Sequence, residues 1–223
     1  MRTPAEPMTV DVVSDVVCPW CYVGKRRLEL ALEQAEDIEV EVRWRPFQLD
    51  PTIPEGGVDR EDYFREKFGD LGRVAAIHER LKELGEGVGI RFAFERIART
   101  PNTLDAHRLI RWASIEGAGE EVVEKLFSLF FEDAADLGDI DVLVEAAVAA
   151  GLPGDLVRRL LESDADRDEV REEIATVQRM GVTGVPCFII DGRYAVMGAQ
   201  EPEAIVAALR QARDERDGLV ERE

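Results

Sequence analysis

Cys18-Pro19-Trp20-Cys21 lies where a run rich in valine gives way to a helical pattern, and it decides how the whole chain is interpreted. Two cysteines at this spacing fall one helical turn apart on one face, close enough to form a disulfide. Pro19 suits the first turn of the helix, where its missing N–H leaves no bond unmade. The positive end of that helix would favour the thiolate of Cys18, whereas Cys21 lies a turn further in. The motif therefore predicts a redox dithiol in which Cys18 attacks and Cys21 resolves.

A cysteine pair of this kind is also half of a structural zinc site. Such a site needs four ligands, and the other thiol and imidazole groups of the sequence are Cys187, His78 and His107. None of them has the spacing of a second cysteine pair, so redox chemistry is favoured and no metal is expected. Cys187 fits a small buried core residue better than a third reactive thiol, and His78 is expected on a solvent-facing helical surface.

The composition limits the class of protein. The chain has 223 residues, 45% of them hydrophobic, and carries 47 acidic against 28 basic residues, for a formal net charge of −19. This acidity argues against nucleic acid as a partner, and no apolar run approaches the roughly 20 residues that cross a bilayer. With three cysteines and no secretory pattern in the N-terminal stretch, we expect a cytoplasmic protein. The acidity fits adaptation to high salt and ordinary solubility equally well.

The order of strand and helix patterns indicates the architecture. Residues 9–17 and 38–47 have strand patterns and flank a helix at 19–36, which predicts a βαβ unit with parallel strands. Strand patterns return only at 186–190 and 194–197, joined by the hairpin signal Asp191-Gly192. Between these ends, and after them, the sequence predicts helices at 59–84, 103–116, 120–136, 140–150, 155–161, 164–180 and 201–213, with an irregular stretch at 89–100.

Strands at both ends around a helical middle predict an α/β fold with an insertion. The expected discontinuous α/β domain comprises residues 1–57 and 181–223, and the expected helical insertion comprises residues 58–180.

Pro186 stands at the start of a predicted strand, after Gly181-Val182-Thr183-Gly184-Val185. A cis Val185–Pro186 bond there would turn the chain sharply and leave the Val185 backbone free to pair with an extended substrate. An ordinary trans proline is the commoner state of any single X–Pro bond.

Several motifs together carry a family resemblance. They are Ser14-Asp15-x-x-Cys18-Pro19-Trp20-Cys21-Tyr22-Val23-Gly24-Lys25-Arg26, Trp44-Arg45-Pro46-Phe47, Asn102-Thr103-x-x-Ala106-His107-Arg108 and Gly181-Val182-x-Gly184-Val185-Pro186. Over residues 9–210 the chain resembles the FrnE-like branch of the DsbA-type oxidoreductases, beside the 2-hydroxychromene-2-carboxylate isomerases and kappa-class glutathione transferases. The resemblance implies a thioredoxin-like fold with a large all-helical insertion. It also implies a protein disulfide oxidoreductase or isomerase, with Cys18 as nucleophile, Cys21 as resolving thiol and Pro186 as the cis proline facing them.

The isomerase and transferase relatives differ at two places. They carry serine where Cys18 stands, so the cysteines favour disulfide exchange here. A Ser-Asp pair that grips glutathione in those relatives corresponds to Ala199-Gln200. Two alternatives stay open: a glutathione-type transferase or isomerase using a bound small thiol, and a non-catalytic redox-sensing or holdase-like binding protein.

The expected partners are protein or small-molecule thiols and disulfides. No cofactor is expected beyond the Cys18/Cys21 disulfide, apart from a small-thiol co-substrate. The protein is expected as a monomer or a homodimer, since the transferase relatives suggest dimers. Candidate substrate-binding residues are Trp20, Val185, Pro19, His107, Asn102 and Arg45, and candidate carboxylates for the Cys21 proton are Asp11 and Asp15.

Overall fold

The computed structural model describes residues 7–218. Its strands are β1 (Met8–Ser14), β2 (Val40–Pro46), β3 (Val58–Asp59), β4 (Arg99–Thr100), β5 (Cys187–Ile190) and β6 (Tyr194–Met197). Its helices are α1 (Pro19–Gln34), α2 (Arg60–Phe68), α3 (Leu71–Glu86), α4 (Leu104–Ile115), α5 (Gly119–Phe131), α6 (Ile140–Ala149), α7 (Gly154–Leu161), α8 (Arg167–Arg179) and α9 (Pro202–Arg216). In this part of the chain no helix is long and apolar enough to cross a membrane.

A four-stranded sheet in the order β2-β1-β5-β6 forms the α/β part. β1 and β2 are parallel, as the βαβ pattern predicts, whereas β5 runs antiparallel to β1 and β6 antiparallel to β5. On one face, Val10, Val12 and Phe188 pack with Leu28 of α1 and Leu209 of α9. Each such buried side chain contributes about 1.5–3 kcal/mol, so this core fixes α1 against the sheet. The expected α/β class with a helical insertion is therefore confirmed.

The opposite face of the sheet is covered by α8. Val13 and Cys187 pack there with Phe47 and with Val177 of α8. Although α8 belongs to the stretch 58–180 that the sequence assigns to the insertion, its C-terminal end completes the sheet's core. The outer ends of the expected α/β domain, residues 1–6 and 219–223, lie outside the described residues.

The helical part has its own apolar core, to which α1 contributes. Tyr22 of α1 is fully buried and stacks on Phe127 of α5, with ring centroids 5.0 Å apart and planes 7° apart. Phe92 meets the same ring edge-on at 6.1 Å. Because aromatic pairs add to the energy of burial, this cluster holds the start of α1 against the insertion.

Arg108 of α4 is fully buried and closes the end of α7. Its guanidinium donates to the carbonyl oxygens of Leu160, Leu161, Ser163 and Ala165 at 2.6, 3.3, 2.7 and 2.6 Å. The last carbonyls of a helix lack partners within the helix, so a planar donor set of this kind satisfies them. Arg108 thereby joins α4 to the α7–α8 connection.

Two details differ from the sequence prediction. The expected helix 59–84 is two helices, because Gly69 takes a φ of 69° and the Asp70 side chain accepts from the Gly72 and Arg73 N–H groups at the start of α3. The expected irregular stretch 89–100 contains a 3₁₀ turn at Phe94–Arg96 and ends in β4, which pairs with β3.

The hairpin at Asp191-Gly192 forms as predicted, with φ of 53° and 64° at these residues.

The expectation of a solvent-facing His78 is wrong. Its ring stacks on Phe94, with centroids 4.1 Å apart and planes 11° apart, and also lies near Phe64. Burial, followed by the positive charge of Arg60, lowers the pKa of His78 to about 4. Phe94 lies within the expected irregular stretch 89–100, so helical periodicity alone could not reveal this partner.

Candidate active site

Cys18 occupies the N-cap of α1, and Pro19 is the first residue of the helix. Cys18 has extended backbone angles, φ −92° and ψ 111°, and its carbonyl accepts from the Cys21 N–H at 3.0 Å. Pro19 fixes the first turn without losing a hydrogen bond, because the first N–H groups of a helix have no partner within it. The Cys18 side chain thus lies at the positive end of α1, as the sequence predicts.

Cys18 and Cys21 are free thiols and are 4% and 2% exposed. Burial raises the pKa of Cys21 well above its usual value, and the adjacent Cys18 sulfur adds to this by accepting a hydrogen bond from it. The Ser14 hydroxyl and the Asp15 backbone act in the opposite direction. Cys21 is therefore held as a protonated thiol beside Cys18.

The loop before β5 faces the dithiol. Its Val185–Pro186 peptide bond is cis, and the Cys18 thiol lies 3.8 Å from the Val185 carbonyl oxygen. The Pro186 carbonyl accepts from the Gly198 N–H at 2.8 Å, which ties the loop to the end of β6. The structure thus brings the loop of Pro186 to Cys18 and Cys21, although the loop is far from the dithiol in the sequence.

Gly24 allows α1 to approach this loop. A Cβ atom on Gly24 would lie 2.9 Å from Pro186 Cγ and 3.2 Å from Phe188 Cζ, closer than normal carbon contacts. The absence of a side chain therefore sets the separation between the helix of the dithiol and the proline that faces it.

Asp15 and His107 form a buried pair, and the Asp15 carbonyl accepts from the Cys18 N–H at 3.0 Å. Asp15 is 1% exposed, and its Oδ2 accepts from the Leu49 N–H at 2.8 Å. Its Oδ1 has no hydrogen bond and lies 3.5 Å from His107 Nε2. His107 Nε2 lies 2.9 Å from the Phe47 carbonyl oxygen; since a carbonyl only accepts, this nitrogen carries the proton. Asp15, rather than Asp11, is the buried carboxylate of the two.

Comparison with known proteins identifies the family of this chain. The family model of the DSBA-like thioredoxin domain matches residues 9–210. The chain belongs to this family. It is 29% identical to the uncharacterized protein YwbO of Bacillus subtilis over 201 residues, which cover 90% of this chain and 94% of that one.

Two solved structures show the same fold as this DSBA-like protein. A probable DsbA oxidoreductase of Streptomyces coelicolor is 35% identical, with a TM-score of 0.87 and coverage of 93% of this chain and 91% of that one. A 2-hydroxychromene-2-carboxylate isomerase is 15% identical, with a TM-score of 0.72 and coverage of 96% and 100%. The resemblance to the DsbA-type oxidoreductases stated from the motifs is thereby confirmed.

The remaining candidate residues of the DSBA-like protein have mixed surroundings. Pro19 and Trp20 are half-buried at the start of α1, and Trp20 packs against the core of the insertion. Asn102 accepts from the Leu104 N–H at 2.9 Å and donates to the Ile53 carbonyl at 2.6 Å, so it bonds to its own chain. Arg45 is 40% exposed and pairs with Asp11 at 2.7 Å. Substrate contacts by these residues and by the buried His107 stay predictions.

An ionic cluster that no sequence pattern predicted joins α1 to α5. Lys25 is 2% exposed and lies within 2.5–2.9 Å of Glu29, Glu120 and Glu124. Burial lowers the pKa of Lys25, but the carboxylates outweigh it, so its pKa is raised. Lys25 stands in the quoted motif, yet two of its partners are distant in sequence, and no local signal connects them. Within residues 7–218 no group of three or more His, Cys, Asp or Glu side chains is arranged to hold a metal ion.

Proposed function

We propose that this protein is a thiol-disulfide oxidoreductase or isomerase that exchanges disulfides through Cys18 and Cys21. One observation carries the proposal: the Cys18 thiol, at the N-terminus of α1, lies 3.8 Å from the Val185 carbonyl of a cis prolyl loop, with Cys21 one turn behind it. Membership of a family of oxidoreductases and isomerases supports the same reaction class.

The exchange uses the protein's own sulfur atoms and balances without a bound cofactor. In the reducing direction, the Cys18 thiolate attacks one sulfur of a substrate disulfide, whose S–S bond breaks and releases one substrate thiolate. Cys21, once deprotonated, attacks the Cys18 sulfur, the mixed disulfide breaks, and the second substrate thiolate leaves. Two electrons pass to the substrate, both substrate thiolates take up protons, and a Cys18–Cys21 disulfide remains. The reverse sequence oxidises a substrate dithiol.

The two thiols have different protonation requirements in this scheme. Cys21 is held protonated by burial, which keeps it from attacking before a mixed disulfide has formed. Its proton must then leave, and we assign Asp15 as the acceptor because its backbone bonds to the Cys21 sulfur and its buried carboxylate has a free Oδ1. The Ser14 hydroxyl, which lowers the pKa of Cys21, is positioned to assist the thiolate.

The substrate would be an extended segment that carries the disulfide. The partly buried Val185 offers backbone groups beside Cys18, and the half-buried Trp20 offers an aromatic surface. Protein and small-molecule disulfides both meet these requirements.

Insulin reduction with a small thiol as electron donor tests the proposal. The wild type should accelerate reduction, Cys18→Ser should abolish the acceleration, and the buried Cys187→Ser variant serves as a matched control that retains activity. Cys21→Ser should accumulate a mixed disulfide at Cys18, visible as added mass that a reductant removes. Equal rates for the wild type and Cys18→Ser would refute the proposal.

A further inference from the structure

β2 is an edge strand with an open side. In the described part of the chain it pairs only with β1, and it forms one end of the sheet order. A groove of about 790 Å³ runs beside it, and its lining includes every residue from Val40 to Pro46. Ile115, which is 72% exposed, lies on the rim of this groove. An unpaired edge of this kind is a template for another strand.

The backbone direction of β2 follows from its two ends. The Glu39 carbonyl accepts from the Met8 N–H, and the Phe47 N–H donates to the Ser14 carbonyl, so the odd-numbered residues of this stretch direct their backbone groups toward β1. Backbone groups alternate along a strand, so Val40, Val42 and Trp44 direct theirs into the groove. Pro46 has the same orientation but lacks an N–H, which suits the outer side of an edge strand.

The charges of this strand are complementary to those of a second, antiparallel copy. The N-terminal half of this stretch carries Glu39 and Glu41, and the C-terminal half carries Arg43 and Arg45. Because side chains alternate along a strand, all four lie on one face. A twofold axis through Val42 would place Glu41 opposite Arg43 of the second copy and Glu39 opposite Arg45. The same register pairs the outward backbone groups of Val42 with those of its copy. Each glutamate therefore faces an arginine at a non-hydrogen-bonded pair of the ladder, where opposite side chains are closest to each other.

Neighbouring registers do not have this property. An axis through Glu41 sets two glutamates opposite each other, and an axis through Arg43 sets two arginines opposite each other. Axes through Val40 and Trp44 likewise place like charges in direct opposition. Charged side chains that only protect an edge strand from pairing do not need to match the charges of a second copy in this way. Within one chain, Arg43 donates to the Glu41 carboxylate at 2.9 and 2.7 Å, and Arg45 donates to Asp11 at 2.7 Å. The Glu41 and Arg43 side chains are nevertheless 49% and 44% exposed, so association would exchange the pair within the strand for pairs between two copies.

We infer that β2 is the surface at which two copies of this chain associate, by antiparallel β2–β2 pairing about Val42 into one continuous eight-stranded sheet. Three features of β2 support this association: its open edge, the outward backbone groups of Val40, Val42 and Trp44, and the self-complementary charges. The inference concerns a different part of the molecule from the dithiol and does not depend on the proposed exchange reaction.

Sedimentation equilibrium over about 1–100 μM tests the association. The wild type should approach twice the 25.0 kDa of one chain. Glu41→Arg places like charges in opposition and should raise the dissociation constant by about tenfold. The double variant Glu41→Arg/Arg43→Glu restores opposite signs and should return the constant to near the wild-type value. Glu61→Arg, which makes the same charge change at an exposed ion pair on α2, is the matched control and should change nothing.

Hydrogen exchange locates the interface. The amides of Val40, Val42 and Trp44 should gain protection as the wild-type concentration rises, and Glu41→Arg should shift that gain to about tenfold higher concentration. A wild type that stays monomeric throughout, a Glu41→Arg variant with unchanged association, or protection of these amides that does not vary with concentration would each overturn the inference.

Discussion

Gly24 and Pro186 are in such close contact that a single added carbon on Gly24 would lie 2.9 Å from the proline ring. This contact joins the helix that carries both cysteines to the loop that faces them. The ring of Pro186 is not a flexible side-chain end, so it cannot move aside without moving the loop.

Gly24→Ala should therefore lower both stability and disulfide exchange. We expect a loss of about 1–3 kcal/mol in unfolding free energy, because overpacking of this size forces backbone shifts. Urea unfolding and insulin reduction measure the two effects. Gly56→Ala is the control, since a Cβ there would meet nothing within 4 Å. A Gly24→Ala protein as stable and as active as the control would show that the contact is not restrictive.

Asp15→Asn should slow the second step of the exchange. The asparagine can still accept from the Leu49 N–H, but it cannot take the Cys21 proton, so resolution of a mixed disulfide should slow by about a hundredfold or more. Rapid acid quench with mass spectrometry separates the two steps. Asp11→Asn, at the carboxylate that pairs with Arg45, should leave resolution unchanged. If the rate of the first step fell by the same factor as the rate of resolution, Asp15 would have a structural role instead.

Arg108→Met should destabilise the helical part. The substitution removes a fully buried guanidinium and leaves four carbonyl oxygens without their donor, and we expect a loss of about 3–5 kcal/mol in unfolding free energy. Arg108→Lys should recover only part of it, because an ammonium cannot reproduce the planar donor set. Arg159→Met, at an exposed position of α7, should change stability by less than about 0.5 kcal/mol. Similar values for the two methionine variants would contradict the prediction.

His78 should make the protein less stable in mild acid. Its folded-state pKa of about 4 lies below the usual 6.5, so its neutral form stabilises the fold fully above pH 6.5. That contribution is lost as the pH falls toward 4, and it amounts to less than about 2 kcal/mol because the ring is partly solvated. Urea unfolding across this range should show a smaller decline for His78→Phe, which keeps the stacking on Phe94. Parallel curves for the two proteins would exclude the effect.

The sequence predicted the parts of the site that depend on local chemistry. Pro19 at the first helical position and the cysteine spacing located the dithiol, and the Asp191-Gly192 signal located the hairpin. The break at Gly69 was missed because apolar periodicity continues on both sides of it. The partners of Arg108 and Lys25 were missed because they are set by packing between distant helices, which no local pattern encodes.

The ionic cluster around Lys25 limits which segments of the chain can be exchanged for those of related proteins. Two of the three carboxylates that surround this ammonium, Glu120 and Glu124, belong to the insertion, whereas Lys25 belongs to the helix of the dithiol. A chimera that exchanged the insertion for one without acidic residues at these places would leave a cation 2% exposed with only Glu29 beside it. The helical insertion is therefore not an interchangeable module, and its sequence is constrained by the helix that bears the cysteines.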